Sequence, residues 1–228
     1  MLVTGDSGGA IQLWPYSFGS SRKLNPHSRY HKRVEKAHKS KITCIAFTHE
    51  SELIISGGWD CSVKVWDITA TTTTVISELE LQSSITHVLS LTGSRIASTC
   101  NANYKIIVSK DDSGDRIHTL EGHSGWITCM SALPHENVKL TLLASGSRDK
   151  SIRVWDVTAG STVMVLDEHK YPITCMAVLS DGRLISGSGL DAAWLDPAGE
   201  LKVWQKPALT SDSTTAEPAA DGDGQDAA

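Results

Sequence analysis

Leu120–Val157 reads LEGHSGWITCMSALPHENVKLTLLASGSRDKSIRVWDV, and the chain from its start to Trp204 is a series of copies of it, some complete and some worn. The stretch opens on Gly122-His123, carries Ile127-Thr128-Cys129 and Ser145-Gly146-Ser147-Arg148-Asp149, and closes on Trp155-Asp156. The copies keep register. Ile42-Thr43-Cys44, Ile85-Thr86-His87, Ile127-Thr128-Cys129 and Ile173-Thr174-Cys175 recur at steps of 43, 42 and 46 residues. Six residues before the last member of each run stand His38, Leu81, His123 and His169. Ten residues before Trp14, Trp66 and Trp155 stand Thr4, Ser56 and Ser145, and six before stand Gly8, Asp60 and Asp149. Coincidence does not hold phase across so many offsets, so this is a repeat protein with a unit of about 40–45 residues.

Composition narrows the class. Val, Ile, Thr and Ser alternate in short runs bounded by turn residues, which favours strands. No apolar run approaches the roughly 18 residues of a membrane helix. The start, Met1-Leu-Val-Thr-Gly, has neither the basic nor the apolar part of a signal peptide. Three of the 5 cysteines, Cys44, Cys129 and Cys175, share one repeat position, where a small side chain is wanted. No CxxC or Cys/His ligand spacing occurs. The expectation is reduced thiols in a cytoplasmic protein, with the nucleus as second compartment, and no metal or other cofactor.

These residues resemble the WD-repeat family, whose unit is one four-stranded β-propeller blade running from Gly-His to Trp-Asp. The resemblance covers residues 2–204 and implies an all-β propeller of about four blades plus a partial one. Residues 2–14 form the partial unit, 38–80 and 120–165 good units, 81–119 a degenerate one and 166–204 the last, within a propeller spanning 1–205. Met1 falls inside a unit, and family propellers most often have about seven blades, so an incomplete or shortened propeller is expected. In the family the loop histidine, strand hydroxyl, turn aspartate and strand tryptophan form a hydrogen-bonded set. His38, Ser56, Asp60 and Trp66 match it, as do His123, Ser145, Asp149 and Trp155. They look like catalytic Ser/His/Asp groups but recur once per unit, where an active site would occur once. No GxSxG, HExxH or phosphate loop is present, and the chain is not expected to be an enzyme.

Charge is unevenly spread. Residues 15–41 form a connection in which Arg22, Lys23, Arg29, Lys32, Arg33, Lys36, Lys39 and Lys41 face only Glu35. Residues 206–228 read as a disordered acidic tail, with Asp212, Glu217, Asp221, Asp223 and Asp226 and no base after Ala208. In the last unit Ser186 and Trp204 are 18 residues apart instead of 10. Either Leu190–Asp196 is an insertion in a loop, or Ala193-Trp194-Leu195 is a third strand with Leu201–Trp204 as a fourth.

By the resemblance, partners would meet the loops before strand one and between strands two and three. There stand Lys41, Trp126 and Pro172, then Trp59 and Arg148, with Tyr171 nearby. Trp and Arg dominate interface hot spots. The expected function is a non-enzymatic scaffold binding proteins or peptides, with no small-molecule substrate. Two alternatives stand beside it. One is a substrate receptor of a ubiquitin ligase, against which Ala70 and Ala159 stand where such receptors carry a base after Trp-Asp. The other is a tether to anionic lipid or nucleic acid through residues 22–41.

Overall fold

The structure is a computed structural model, and it describes residues 2–14, 32–48, 53–68, 73–134, 141–189 and 199–205. Every element among them is a strand, and every pairing is antiparallel. The first sheet joins β1 (Leu2–Gly5), β2 (Ile11–Trp14) and β3 (Lys32–Val34). The second runs β4 (Ile42–Phe47), β5 (Leu53–Gly58), β6 (Ser62–Asp67), β7 (Thr74–Glu80). The third runs β8 (Ile85–Leu91), β9 (Arg95–Cys100), β10 (Ile106–Lys110), β11 (Arg116–Leu120). The fourth runs β12 (Ile127–Leu133), β13 (Leu142–Ser147), β14 (Ile152–Asp156), β15 (Ser161–Leu166). The fifth joins β16 (Ile173–Val178), β17 (Leu184–Ser188) and β18 (Glu200–Trp204).

Each sheet packs on the next in chain order, and among the described residues the first and last share no extensive contact. The core is therefore a series of slabs rather than one mass. Ile11 and Leu13 meet Ile42, Ile54 and Trp66 between the first two sheets. Ile55, Val63 and Val65 meet Ile85 and Ile96 between the second and third. Ile106, Val108 and Leu120 meet Ile127, Leu143 and Trp155 in the next gap, and Ala144, Ile152 and Val154 meet Ile173 and Leu184 in the last. Successive strand residues point to opposite faces. Ile54 and Ile55 thus serve different slabs, which is why the inner strands read as unbroken apolar runs and not as alternation.

The Ile-Thr-Cys signature has a local reason. In all four sheets that carry it, the register between the first two strands shifts at this place, leaving the threonine as the bulged residue. Thr43 Oγ1 lies between the Gly57 carbonyl at 3.0 Å and the Ile85 carbonyl of the next sheet at 2.7 Å. Thr128 repeats this with the carbonyls of Gly146 at 3.1 Å and Ile173 at 2.7 Å. The isoleucine enters a gap that glycine leaves on the preceding sheet. A Cβ added to Gly5, Gly57 or Gly146 would lie 2.6, 2.5 and 2.5 Å from Cγ2 of Ile42, Ile85 and Ile173. Only a residue without a side chain permits that approach.

The third sheet lacks the polar set, as its sequence indicates. Leu81 occupies the histidine place and packs into a slab. Ser109 replaces the tryptophan and is buried, and the Ser98 hydroxyl turns to the Ile107 carbonyl at 3.4 Å. Its outer end is tied to the fourth sheet instead, by Arg95 Nη2 donating to Thr141 Oγ1 at 2.6 Å and by Thr92 and Thr141 hydroxyls 2.8 Å apart.

Two readings gain definite bounds. In the basic connection, read as a solvated loop and outer strand, Lys32–Val34 is a strand paired to β2 through Ile11–Val34 and Leu13–Lys32. In the last unit Leu201–Trp204 is the third strand, since β18 pairs directly with β17, Ser186 opposite Lys202. Leu201–Trp204 is thus the strand beside β17, and the two alternatives for Leu190–Asp196 and Ala193–Leu195 fall on residues outside the described set. Residues 190–198, the connection 15–31 and the tail 206–228 lie outside the described residues.

Gly146→Ala is expected to destabilise the protein by about 1–3 kcal/mol through overpacking against Ile173. Gly8→Ala, in an exposed turn, is expected to change it by less than about 0.5 kcal/mol. Thermal unfolding of the two variants checks the pair.

Candidate interaction face

At one end of the second, fourth and fifth sheets, the loop before the first strand meets the turn between the second and third, and a buried hydrogen-bonded chain joins them. His38 Nδ1 lies 2.9 Å from Asp60 Oδ1, His38 Nε2 lies 2.7 Å from Ser56 Oγ, and the Trp66 indole N–H donates to Ser56 Oγ at 2.9 Å. His123 repeats it, 2.8 Å from Asp149 Oδ2 and 2.8 Å from Ser145 Oγ, which accepts the Trp155 indole N–H at 2.8 Å. One protonation pattern satisfies every group. The imidazole donates from Nδ1 to the carboxylate, the serine donates to Nε2, and the indole donates to the serine. The carboxylates also hold the backbone. Asp60 accepts Lys39 N–H at 2.8 Å, while Asp149 accepts those of Ser124 and Ser151, both at 2.9 Å. The residues between, Cys61 and Lys150, take φ of 66° and 72° so that the aspartate can reach its own turn.

A third set was not legible in the sequence. His169 Nε2 lies 2.7 Å from Ser186 Oγ, which accepts the Trp204 indole N–H at 2.7 Å, and Glu200 Oε2 takes the aspartate's place 3.3 Å from His169 Nδ1. The longer spacing between Ser186 and Trp204 takes the acid and the tryptophan out of the usual offsets, and glutamate replaces aspartate. The available signals were His169 in phase and the hydroxyl of Ser186. In the first sheet, Trp14 Nε1 donates to Thr4 Oγ1 at 3.3 Å, and Asp6 caps its turn by accepting Gly8 and Ala10 N–H, each at 2.9 Å.

The three serines are buried and each is already committed to an imidazole and an indole. Burial pushes the His38 and His169 imidazoles below their ordinary 6.5, outweighing the bonds and charges of Asp60 and Glu200. Both rings are therefore neutral at pH 7, and their contacts to acid are hydrogen bonds rather than ion pairs. Burial raises the Asp149 carboxyl, but hydrogen bonds from His123, Ser151 and Ser124 outweigh it and hold the group well below the carboxylate range. Among the described residues, no group of three His, Cys, Asp or Glu is placed to hold a metal.

Above these sets, two tryptophans stand in solvent. Trp59 is 55% exposed and Trp126 is 47% exposed. Lys41 Nζ lies 5.3 Å from the Trp59 ring centroid, and Arg148 Cζ lies 4.9 Å from that of Trp126. The two pairs are the same pair with the partners exchanged. Lys41 and Trp126 precede the first strand, Trp59 and Arg148 follow the second, and one backbone bond joins each couple. Trp59 N–H donates to the Lys41 carbonyl at 2.8 Å, and Arg148 N–H to that of Trp126 at 2.9 Å. The same bond links Asn101 to Ser84 and Gly189 to Pro172, both at 3.1 Å. Pro172 and its neighbour Tyr171 are half-buried, and Gly189 offers no side chain to complete a pair there.

The family model described as WD domain, G-beta repeat, matches residues 30–67, 114–156 and 160–193, together just over half of the chain. The chain belongs to the WD40 family. The match skips most of the third sheet, the one without a histidine set. Among curated proteins, this WD40 chain is 29% identical over 168 residues to nuclear distribution protein nudF of Aspergillus niger, across 69% of this chain and 35% of the relative. It is 31% identical over 137 residues to nuclear distribution protein nudF 1 of Talaromyces marneffei, across 59% and 29%. The chain thus spans about a third of the length of the curated relatives it matches. Among solved structures it resembles the computationally designed Ika8 protein, with a TM-score of 0.65 and 24% identity over 89% of this chain and 54% of that one. It also resembles the designed Ika4 protein, with a TM-score of 0.60 and 26% identity over 75% and 95%. The Ika8 likeness is one of fold.

Asp149→Ala leaves His123 Nδ1 and two backbone N–H groups without their acceptor and is expected to destabilise the protein by about 1–3 kcal/mol, read by calorimetry. Acid acts in two stages. The folded state takes up protons on His38 and His169 less readily than the unfolded chain, so stability is full above 6.5 and declines as pH falls below it. A second decline follows below the ordinary carboxylate value of 3.8, where unfolded Asp149 is protonated and the folded group is not. A melting temperature unchanged between pH 7.5 and 5 would contradict the first stage.

Proposed function

We propose that this WD40 protein is a non-enzymatic scaffold that binds other proteins or peptides on the loop end carrying Trp59 and Trp126. WD40 repeats imply a protein-interaction scaffold in general, and the exposed indoles support this particular face. Each is large, rigid and held flat by a stacked cation, so little conformational freedom is lost on contact. The relatives are named for nuclear distribution, and by that likeness the partners would be proteins that take part in positioning nuclei, met in the cytoplasm. Tyr171 and Pro172 would lie at the rim.

The tether through residues 22–41 has less support. Of its described residues, Arg33 is engaged with Glu35 at 2.6 Å and Asp6 at 3.6 Å. The receptor reading gains nothing from the comparisons.

Replacing both indoles, Trp59→Ala with Trp126→Ala, is expected to weaken capture of partner proteins by at least about tenfold while leaving the melting temperature of the chain in place. Quantitative affinity capture with wild type and double variant in parallel checks this. Equal capture by the two would remove this face as the site, and capture that falls steeply with added salt alone would favour the tether.

A further inference from the structure

The third sheet keeps the strand pairing of a histidine unit without its side chains, and a pocket stands where they are missing. The serine of each second strand lies opposite Lys64, Ile107, Arg153 and Lys202 in the second to fifth sheets. The third sheet thus has an isoleucine where the others have a cation. Ile42 and Ile85 stand opposite Gly58 and Cys100. A Cβ on Gly58 would lie 2.6 Å from His38 Nδ1, so the Cys100 side chain enters the space that the imidazole takes in the second sheet. Together with Leu81 in the histidine place, Cys100 and Ile107 line an open cavity of about 210 Å³.

The cavity is layered. Cys100 and Ile107 are buried and Leu81 is half-buried, which gives it an apolar floor. The Cys100 thiol is turned aside, donating to Asn103 Oδ1 at 3.4 Å. Lys105, Arg116 and Glu121 border the cavity nearer to solvent. Lys105 Nζ holds Glu121 Oε1 at 2.7 Å, so those two charges offset each other. Among the described residues, no carboxylate lies within ion-pair distance of the Arg116 guanidinium. One uncompensated cation above an apolar floor calls for an anion carried on an apolar group. Pockets for drug-sized ligands begin at roughly 300 Å³, so the room here suits a single residue. An acidic side chain entering from a passing peptide would leave its carboxylate among the apolar groups of the floor, which is costly. A chain terminus avoids that, with its last side chain on the floor and its carboxylate at the guanidinium. We infer that the cavity of the third sheet receives the aliphatic C-terminal residue of a partner polypeptide, with the free carboxylate on Arg116. The inference rests on reading the partners as proteins or peptides, and it adds a requirement for a free terminus.

The test uses the full chain with methyl-labelled isoleucine and leucine, read by NMR. The probe is N-acetyl-Gly-Gly-Leu with a free carboxylate. Saturable shifts of the Leu81 and Ile107 methyl signals are expected. The same peptide as its C-terminal amide is expected to bind at least about tenfold more weakly. So is N-acetyl-Gly-Gly-Gly, which has no side chain for the floor. Arg116→Gln, at an exposed position, is expected to bring the acid down to the affinity of the amide. The Trp59/Trp126 double variant is expected to keep the shifts, so a failure here is separable from failure of the loop-end reading. Equal binding of acid and amide by the wild-type chain overturns the inference, as does the absence of saturable shifts at these methyl groups. Isovalerate binding more tightly than the peptide would overturn it too, by making a free short acid the ligand.

Discussion

A buried imidazole with an unpaired nitrogen is costly, and the loop end of this fold is arranged around avoiding that cost. Each histidine draws a carboxylate from a turn about twenty residues or more away and a hydroxyl from the second strand, which in turn takes the indole of the third. One side chain thereby ties a loop to two strands and a turn. The carboxylate also caps backbone N–H groups of the loop and the turn, so the loop end is rigid where partners would meet it.

The third sheet shows what happens without that device. Leucine for histidine and serine for tryptophan remove the demand and the reward together, which is nearly neutral where both partners go. The sheet is held by apolar packing on both faces, with Ile96 serving one slab and Ala97 the other. Its neighbours supply order it does not generate, through Thr43 reaching the Ile85 carbonyl on one side and Arg95 reaching Thr141 on the other. A repeat protein can carry such a unit because its stability is a sum over units and interfaces.

The exposed tryptophans follow a different logic. Backbone bonds between the residue before the first strand and the residue after the second recur in four sheets, regardless of side chain. Those two positions are therefore free to vary, and in two sheets they hold a cation and an indole in opposite order. A fixed frame with variable paired positions is what a surface needs to change partners without changing fold.

Sequence alone determined the class, the register and two of the histidine sets, because strand alternation and a buried hydrogen-bonded chain both impose fixed spacing along the backbone. It also located the worn unit by the missing histidine and tryptophan. Tertiary structure alone decided the third set, since the extra residues between Ser186 and Trp204 erase the spacing while Glu200 stays beside His169 and Trp204 beside Ser186 in space. It alone placed the outer strand of the basic connection at Lys32–Val34, because a three-residue basic segment has no pattern of its own and pairs only where β2 offers an edge. It also alone showed the glycine gaps, because a contact between Gly57 and Ile85 belongs to two sheets, and no local pattern records what packs across from it.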